Sequence, residues 1–308
     1  MNSDDTLFAQ DDKFWANYLK GRPSAPASFF DRIFDYHQNN GGSFGMVHDV
    51  GAGIAPYAKL LRSRFSHVII SDIVPENVSS ASSRLKDSPG FSFRVAKLQD
   101  ASDIPPGSVD LVFATNVMHF AEPQGSAMAT IARQLRPGGT FAAALFGPAT
   151  LRDPRLQNLW ARISQQGGRE LLKIADDPDQ TVRVMARTQG PYNVAPLSTE
   201  LFRPGALRIH INMREGGILG MLPPEEAHRD TEPSFNGPDD VEVHVEEEEA
   251  WSFETGLEGI KQHFASFPFV SQFPGAFDGL YRELEALLGD GAPVRGYFPV
   301  KVILATRR

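Results

Sequence analysis

The chain has no cysteine among its 308 residues. Disulfide cross-links, thiolate zinc sites and a cysteine nucleophile are therefore excluded. Positive charge is in short supply. Thirty Lys and Arg against 38 Asp and Glu leave a net charge of −8, which argues against a surface for nucleic-acid phosphates. No apolar run approaches the roughly 20 residues that span a bilayer. The first residues, Met1 to Asp12, are polar and acidic, unlike a signal or transit peptide, so a cytoplasmic location is expected. What remains is ordinary globular material, 41% hydrophobic, in a length that suits one elaborated domain or two small ones.

The strongest pattern runs from Val47 to Tyr57 (VHDVGAGIAPY). The apolar lead-in Phe44–Val47 predicts a buried strand, the glycines a tight turn, and the spacing over Tyr57–Arg64 a helix. Strand, glycine turn and helix form the first half of a nucleotide-binding unit. Glycine lets the backbone approach a ligand that a Cβ would repel, and the helix start adds free N–H groups at the positive end of its dipole. A dinucleotide fingerprint wants a third glycine where Pro56 stands. Asp49, just before the turn, would repel a pyrophosphate but suits a cation, such as the ammonium and sulfonium of S-adenosylmethionine (SAM). About twenty residues on, the run Val68–Ser71 ends in Asp72, where a ribose-binding carboxylate belongs.

The rest of the chain reads in order. Phe14–Lys20 predicts a short helix and Ser24–His37 an amphipathic one, with Phe29, Phe30, Ile33 and Phe34 on its apolar stripe. Tyr18 and Arg22 suit either surface packing or a lid over a ligand, with Arg22 available for an anion. Pro75–Leu85 predicts a helix and Phe91–Ala96 a strand. In the polar loop that follows, Asp100 can accept an adenine amino group while the backbone of Ala101 meets a ring nitrogen. Ser108–Ala114 predicts a strand that delivers Asn116, His119 and Phe120 to the carboxyl edge of a parallel sheet, where ligands bind. A helix over Gln124–Leu135, a turn at Arg136–Gly139 and a strand over Thr140–Phe146 follow. Beyond it, Leu151–Lys173 has helical spacing and Asp176–Asn193 reads as loop. Ala206–Met213 alternates like a strand, and Glu215–Asp240 reads as a mobile surface loop. In Val241–Val245, strand alternation sends neighbouring side chains to opposite faces. His244 and the following Glu246–Glu249 are therefore expected to form a solvated acidic edge and no metal site. Ser252–Phe267 and Gly275–Leu288 predict helices around an aromatic cluster (Phe264, Phe267, Phe269, Phe273, Phe277), and Pro299–Thr306 a closing strand.

Three features together resemble the class I SAM-dependent methyltransferases: Asp49-x-Gly51-x-Gly53, the run Asp100–Pro105 followed by Ser108–Val112, and the turn Leu135-Arg136-Pro137-Gly138-Gly139-Thr140. Within that class the chain resembles the fungal trans-aconitate methyltransferase-like branch. The likeness lies in Arg22-Pro23 followed by Phe34-Asp35-Tyr36-His37, and in His119-Phe120 where the branch has His-Trp. Ala55 replaces a common third glycine. The resemblance implies an α/β, Rossmann-like, doubly wound and mostly parallel seven-stranded sheet with an antiparallel last strand. It implies a helical lid over residues 1–40, a SAM-binding core over 41–150, a cap over 151–290 that contributes one or two strands, and a closing strand over 291–308. It also implies SAM held by Asp49, Gly51, Ala52, Gly53, Asp72, Ile73, Asp100, Ala101 and Asn116, with Tyr18 and Arg22 from the lid. Trp15, Phe120, Phe264 and Phe267 are expected around the acceptor.

His119 is the candidate catalytic residue, because an imidazole at that edge can take a proton near neutral pH or orient an acceptor by a hydrogen bond. A packed structural histidine is the competing reading. The expected activity is methyl transfer to a small, partly apolar molecule, with O-methylation of a carboxylate or hydroxyl favoured and a secondary metabolite as one candidate. Two other readings stay open: a SAM-binding protein of this fold that catalyses a cyclisation or lyase step, and a non-catalytic or NAD-binding protein. No nucleic-acid or membrane partner is expected, and both monomer and homodimer remain open.

Overall fold

The computed structural model describes residues 12–214, 216–289 and 291–308. The acidic N-terminal stretch up to Asp11 lies outside them. So do Glu215, at the start of the expected loop, and Asp290.

The chain opens with α1 (Asp12–Gly21) and α2 (Ala27–Asn39). It then alternates β1 (Met46–Val50), α3 (Ala58–Arg64), β2 (His67–Asp72), α4 (Pro75–Leu85) and β3 (Phe91–Val95). β4 (Val109–Thr115), α5 (Gln124–Gln134) and β5 (Leu135–Leu145) complete the alternating half. After the two-residue β6 (Thr150–Leu151) come α6 (Pro154–Ile174), α7 (Pro178–Arg187), β7 (Leu207–Ile211) and β8 (Val241–Val245). The chain ends with β9 (Ser252–Thr255), α8 (Leu257–Ala265), α9 (Pro268–Gln272), α10 (Asp278–Leu288), β10 (Val294–Tyr297) and β11 (Val300–Thr306).

The main sheet has eight strands in the order β3-β2-β1-β4-β5-β11-β7-β8. β11 runs antiparallel to both β5 and β7, and the other neighbours pair in parallel. The expected seven strands are present, and β8 is added at the edge beyond them. β4 is buried along nearly its whole length, as a parallel strand covered on both faces must be, which is why it reads as a continuous apolar run. The strand order reverses between β1 and β4. Their carboxyl ends therefore open a crevice that no crossover fills, the ligand-binding position of such sheets.

Two apolar layers cover the sheet. On one face, Phe29, Phe30, Ile33 and Phe34 of α2 meet Val47, Val68 and Phe113, and continue into Trp160, Trp251 and Phe264 of the later segments. On the other, Ala127, Met128 and Ile131 of α5 pack with Phe141, Tyr192 and Phe202. Phe264 is fully buried and stacks on Trp160 with ring centroids 4.4 Å apart and 6° between planes. Phe264→Ala is accordingly expected to cost about 3–5 kcal/mol in urea denaturation; a cost under about 1 kcal/mol would contradict this packing.

Several boundaries differ from the sequence expectations. The stretch expected as loop over Asp176–Asn193 contains α7. Asp177 caps that helix by accepting from the Gln180 N–H at 2.9 Å, and Pro178 occupies its first turn. The helix expected from Ser252 begins as β9, which pairs with β10 and, through it, with β6 in a small antiparallel sheet. Arg136–Gly139 is not a separate turn but an irregularity inside β5. The pairing jumps from Val109–Leu135 to Leu111–Thr140, and the surplus residues bulge out.

Candidate active site

The turn after β1 is held open by its glycines. Gly51 and Gly53 have φ of +61° and +55°. A Cβ on Gly51 would lie 2.3 Å from the Val117 side chain, and one on Gly53 would lie 2.8 Å from the Trp15 ring. Ala52 donates its N–H to the Ser71 carbonyl at 3.0 Å, tying the turn to β2. α3 starts only at Ala58, beyond Pro56, and has seven residues. The helix-dipole contribution expected at the turn is therefore displaced from it.

Asp72 is the hub of this turn. Its Oδ2 accepts from the Gly53 N–H at 2.8 Å; its Oδ1 accepts from the Val74 N–H at 2.9 Å and from Asn77 Nδ2 at 3.2 Å. Asn77 in turn accepts from Trp15 Nε1 at 3.0 Å. A chain of hydrogen bonds thus runs from the N-terminal helix α1, through Asn77 and Asp72, to the glycine turn. Ile73, next along, is half-buried. Asp49 is different: it is buried, and its Oδ2 has no hydrogen-bond partner. Burial first, and the neighbouring Asp72 charge second, push its carboxyl up to about 8. A carboxylate oxygen left in this state calls for a cation.

Across the crevice, Asn116 follows β4 with φ +55°. Its N–H donates to the Ala144 carbonyl at 2.8 Å and its Oδ1 accepts from the Phe146 N–H at 3.0 Å, so it locks the ends of β4 and β5 together. Next to the β5 end, Arg22 lays its guanidinium over Phe267, 3.7 Å from the ring centroid, and 5.2 Å from that of Tyr18. Its Nη1 comes so close to Gly147 that a Cβ there would lie 2.0 Å away. The Arg22 Nε is buried without a hydrogen-bond partner. His263 bridges the end of α1 to this region: its Nδ1 donates to the Gly21 carbonyl at 2.8 Å, and its Nε2 accepts from the Ala149 N–H at 3.3 Å. Phe267 therefore reaches the site through Arg22. Phe264 does not: it is enclosed in the core, so the expectation that it faces an acceptor is corrected.

Asp100 is exposed, and its Oδ1 accepts from Ser102 N–H at 3.1 Å and Ser102 Oγ at 2.8 Å. These bonds hold its carboxyl below the usual range. Ala101 beside it is buried, its carbonyl taken by Arg133.

His119 sits in a single 3₁₀ turn, Met118–Phe120, just past β4. It is 5% exposed, and its Nδ1 is buried without a partner. Its ring lies 3.9 Å from Phe120 and 6.2 Å from Tyr192 between centroids. Burial, and then the Arg187 charge, depress its pKa to about 3. The imidazole is therefore neutral throughout the physiological range. Phe120 is 38% exposed beside it. Asn77 and Val117 lie close in the chain to the expected residues Asp72 and Asn116, whereas Arg187 and Tyr192 have no sequence signal that ties them to the site, because each joins it across a distance in the chain.

The β8 edge of the sheet carries two histidines beside a glutamate. His210, Glu242 and His244 bring potential ligand atoms within 4.8 Å of one another. Glu242 and His244 are two apart on β8 and share a face, and the register sets His210 against His244 with rings stacked 4.4 Å apart. Lys301 Nζ lies 2.6 Å from His210 Nε2, and burial lowers the Lys301 pKa to about 7.

Comparison with known proteins completes the picture. Residues 48–143 match the family described as Methyltransferase domain. The sequence is 59% identical over 309 residues to methyltransferase AacuQ of Aspergillus aculeatus, covering 100% of this chain and 97% of the relative. It is 58% identical to methyltransferase tpcM of Aspergillus fumigatus, covering 100% of this chain and 96% of that one. The chain belongs to the methyltransferase family. Its fold matches that of a solved structure described as a type II methyltransferase from Anaeromyxobacter dehalogenans, with a TM-score of 0.55 and 17% identity over 92% of this chain and 97% of the other. The cofactor of this methyltransferase is SAM, and the residues fit it: the unpartnered Asp49 oxygen suits a cationic ligand, and the Gly51–Gly53 turn leaves no room for a Cβ. Among the described residues, no helix is long and apolar enough to cross a membrane.

Proposed function

We propose that the protein transfers a methyl group from SAM to an oxygen, carboxylate or hydroxyl, of a small and partly apolar metabolite in the cytoplasm. In this reading, residues 1–40 act as a lid, 41–150 as the SAM-binding core, 151–290 as the cap and 291–308 as the closing strand. Bound SAM supplies an electrophilic methyl group on a sulfonium. The protein's own task is to bind, orient and exclude water. Asp49 takes the ammonium, Asp72 the ribose hydroxyls, and Asp100 with Ala101 the adenine edge. Arg22 takes the carboxylate, with Tyr18 and Phe267 holding its guanidinium in place. Gly51, Ala52, Gly53, Ile73 and Asn116 line the cofactor, while Trp15 and Phe120 offer apolar surface to the acceptor.

The observation that carries this reading is the neutral imidazole of His119, its Nδ1 without a hydrogen-bond partner, beside Phe120 at the carboxyl end of β4. An imidazole there can accept or donate one hydrogen bond to an acceptor without carrying charge. The test offers the enzyme SAM and a panel of aromatic carboxylic acids and phenols, with products identified by mass spectrometry. Methyl esters or ethers support the reading. SAM consumption with an unmethylated, rearranged product overturns it.

Asp49 gives a second test. Its pKa is raised in the folded protein, so it binds a proton there that the unfolded chain gives up. The stability it contributes is full below the ordinary carboxylate pKa and is lost as pH rises towards about 8. Pairing with the SAM ammonium ionises it. At about pH 7, calorimetry in buffers of different ionisation enthalpy should show wild type releasing more protons on SAM binding than Asp49→Asn does. Equal proton release in the two would remove Asp49 from the cofactor site.

A further inference from the structure

A 3₁₀ turn of three residues is held weakly by its own hydrogen bonds. Here those are Phe120 N–H to the Val117 carbonyl at 3.0 Å and Ala121 N–H to the Met118 carbonyl at 3.2 Å. Further bonds to the carbonyls of this stretch come from outside it. Gln124 Nε2 donates to the Met118 carbonyl at 3.2 Å. Arg187 Nη1, at the end of α7, donates to the carbonyls of both His119 (3.4 Å) and Ala121 (3.2 Å). The same guanidinium is fixed on its other sides. Its Nη2 meets Glu122 Oε2 at 2.7 Å, while its Nε meets Glu232 Oε2 at 2.7 Å and Nη2 meets Glu232 Oε1 at 3.2 Å. Arg187 is 8% exposed. A planar fork bound bidentately to one carboxylate, and bonded at the same time to a second and to two carbonyls, has little freedom left.

We propose that Arg187 is the positioning residue for His119: with Glu122 and Glu232 it clamps the backbone of the turn and so fixes where the imidazole points. The clamp rests on the reading of His119 as the group that orients the acceptor. The groups facing His119 are Arg187 from α7, Tyr192 from the following segment and, through Arg187, Glu122 and Glu232. Arg183 stands 4.0 Å from Glu122. The cation nearest the imidazole is Arg187, which also disfavours its protonated form. Glu232 belongs to the long stretch before β8, so the clamp joins that stretch to the His119 turn. Lysine keeps the charge but cannot reach two carbonyls and two carboxylates at once. The effect of Arg187 is therefore separable into aim and charge.

The experiment compares wild type, Arg187→Lys, Arg187→Met and Glu232→Gln. The full-length protein is ¹⁵N-labelled for imidazole NMR across about pH 4 to 8. In wild type and Arg187→Lys the His119 signals should stay those of a neutral ring. In Arg187→Met the ring signals should shift, because the turn is no longer held, while burial still disfavours protonation of the ring. In steady-state assays, loss of aim should appear as a fall of roughly 10-fold in kcat/KM for both Arg187 variants, no larger than the loss on removing His119 itself, with the acceptor KM raised and SAM affinity unchanged. Glu232→Gln, which keeps the cation but weakens its anchor, should show a smaller loss of the same kind. Should Arg187→Met not fold, Arg187→Lys and Glu232→Gln still decide the matter through KM against kcat. Unaltered His119 signals in Arg187→Met, or an unaltered acceptor KM in Arg187→Lys and Glu232→Gln with only a lower Tm, would overturn the clamp. The NMR arm needs no acceptor, so failure of the methyl-transfer reading would show as absence of product from wild type while the His119 signals still report on Arg187.

Discussion

Gly51→Val is expected to bring SAM binding below detection in calorimetry. Two effects add. A non-glycine residue at φ +61° is strained by roughly 1–2 kcal/mol. Its Cβ would also arrive 2.3 Å from the Val117 side chain, one residue past Asn116. The intrusion is towards β4 rather than into the ligand's own space, so the variant acts by pushing the two walls of the crevice apart. A milder pair separates the causes. Gly51→Ala combined with Val117→Gly removes every Val117 side-chain atom that the new Cβ would meet but keeps the strain, and should recover part of the affinity. Affinity unchanged in Gly51→Val would sink the assignment of this turn to SAM.

His119→Ala is expected to lower kcat/KM by roughly 10–100-fold, the cost of one hydrogen bond to a polar acceptor group, and His119→Asn to restore most of it. The reason lies in the depressed pKa of about 3. An imidazole that refuses a proton so strongly is a poor general base near neutral pH, yet it remains a good hydrogen-bond partner. Alignment of an acceptor is therefore its natural role. The kcat/KM profile should show no inflection from His119 between about pH 5 and 8, and the loss in His119→Ala should fall mainly on the acceptor KM. An inflection near the ordinary histidine pKa that vanishes in His119→Asn would make it a base instead. Activity and Tm falling together in both variants would make it structural.

The local parts of the site are the parts that could be read from the chain. Asp49, Gly51, Gly53 and Asp72 lie within one strand–turn–helix–strand unit, where spacing and geometry are the same information. Sequence places Trp15 only around an acceptor and Arg22 only in an expected lid over the ligand. That Trp15 covers Gly53 and that Arg22 runs beside Gly147 are facts of long-range packing. The aromatic run after Trp251 gave a cluster without its inside and outside: Phe264 turns into the core against Trp160, while Phe267, three residues on, meets Arg22. α7 was legible in Asp177-Pro178, a cap followed by a helix-starting proline, but its polar surroundings read as loop. The convergence of His210, Glu242 and His244 was hidden because the partner and register of an edge strand are not written in the strand itself. The same holds for Arg187 and Tyr192, which join His119 from more than sixty residues away in sequence.

The most direct measurement is the mass of the product formed from SAM carrying a trideuterated methyl group, with the acceptor panel and three proteins in parallel: wild type, His119→Asn and His119→Ala. The expected result is a labelled methyl on the acceptor oxygen with wild type and His119→Asn, and much less with His119→Ala at subsaturating acceptor. Product without the label, or His119→Ala matching wild type at every acceptor concentration, would contradict the account.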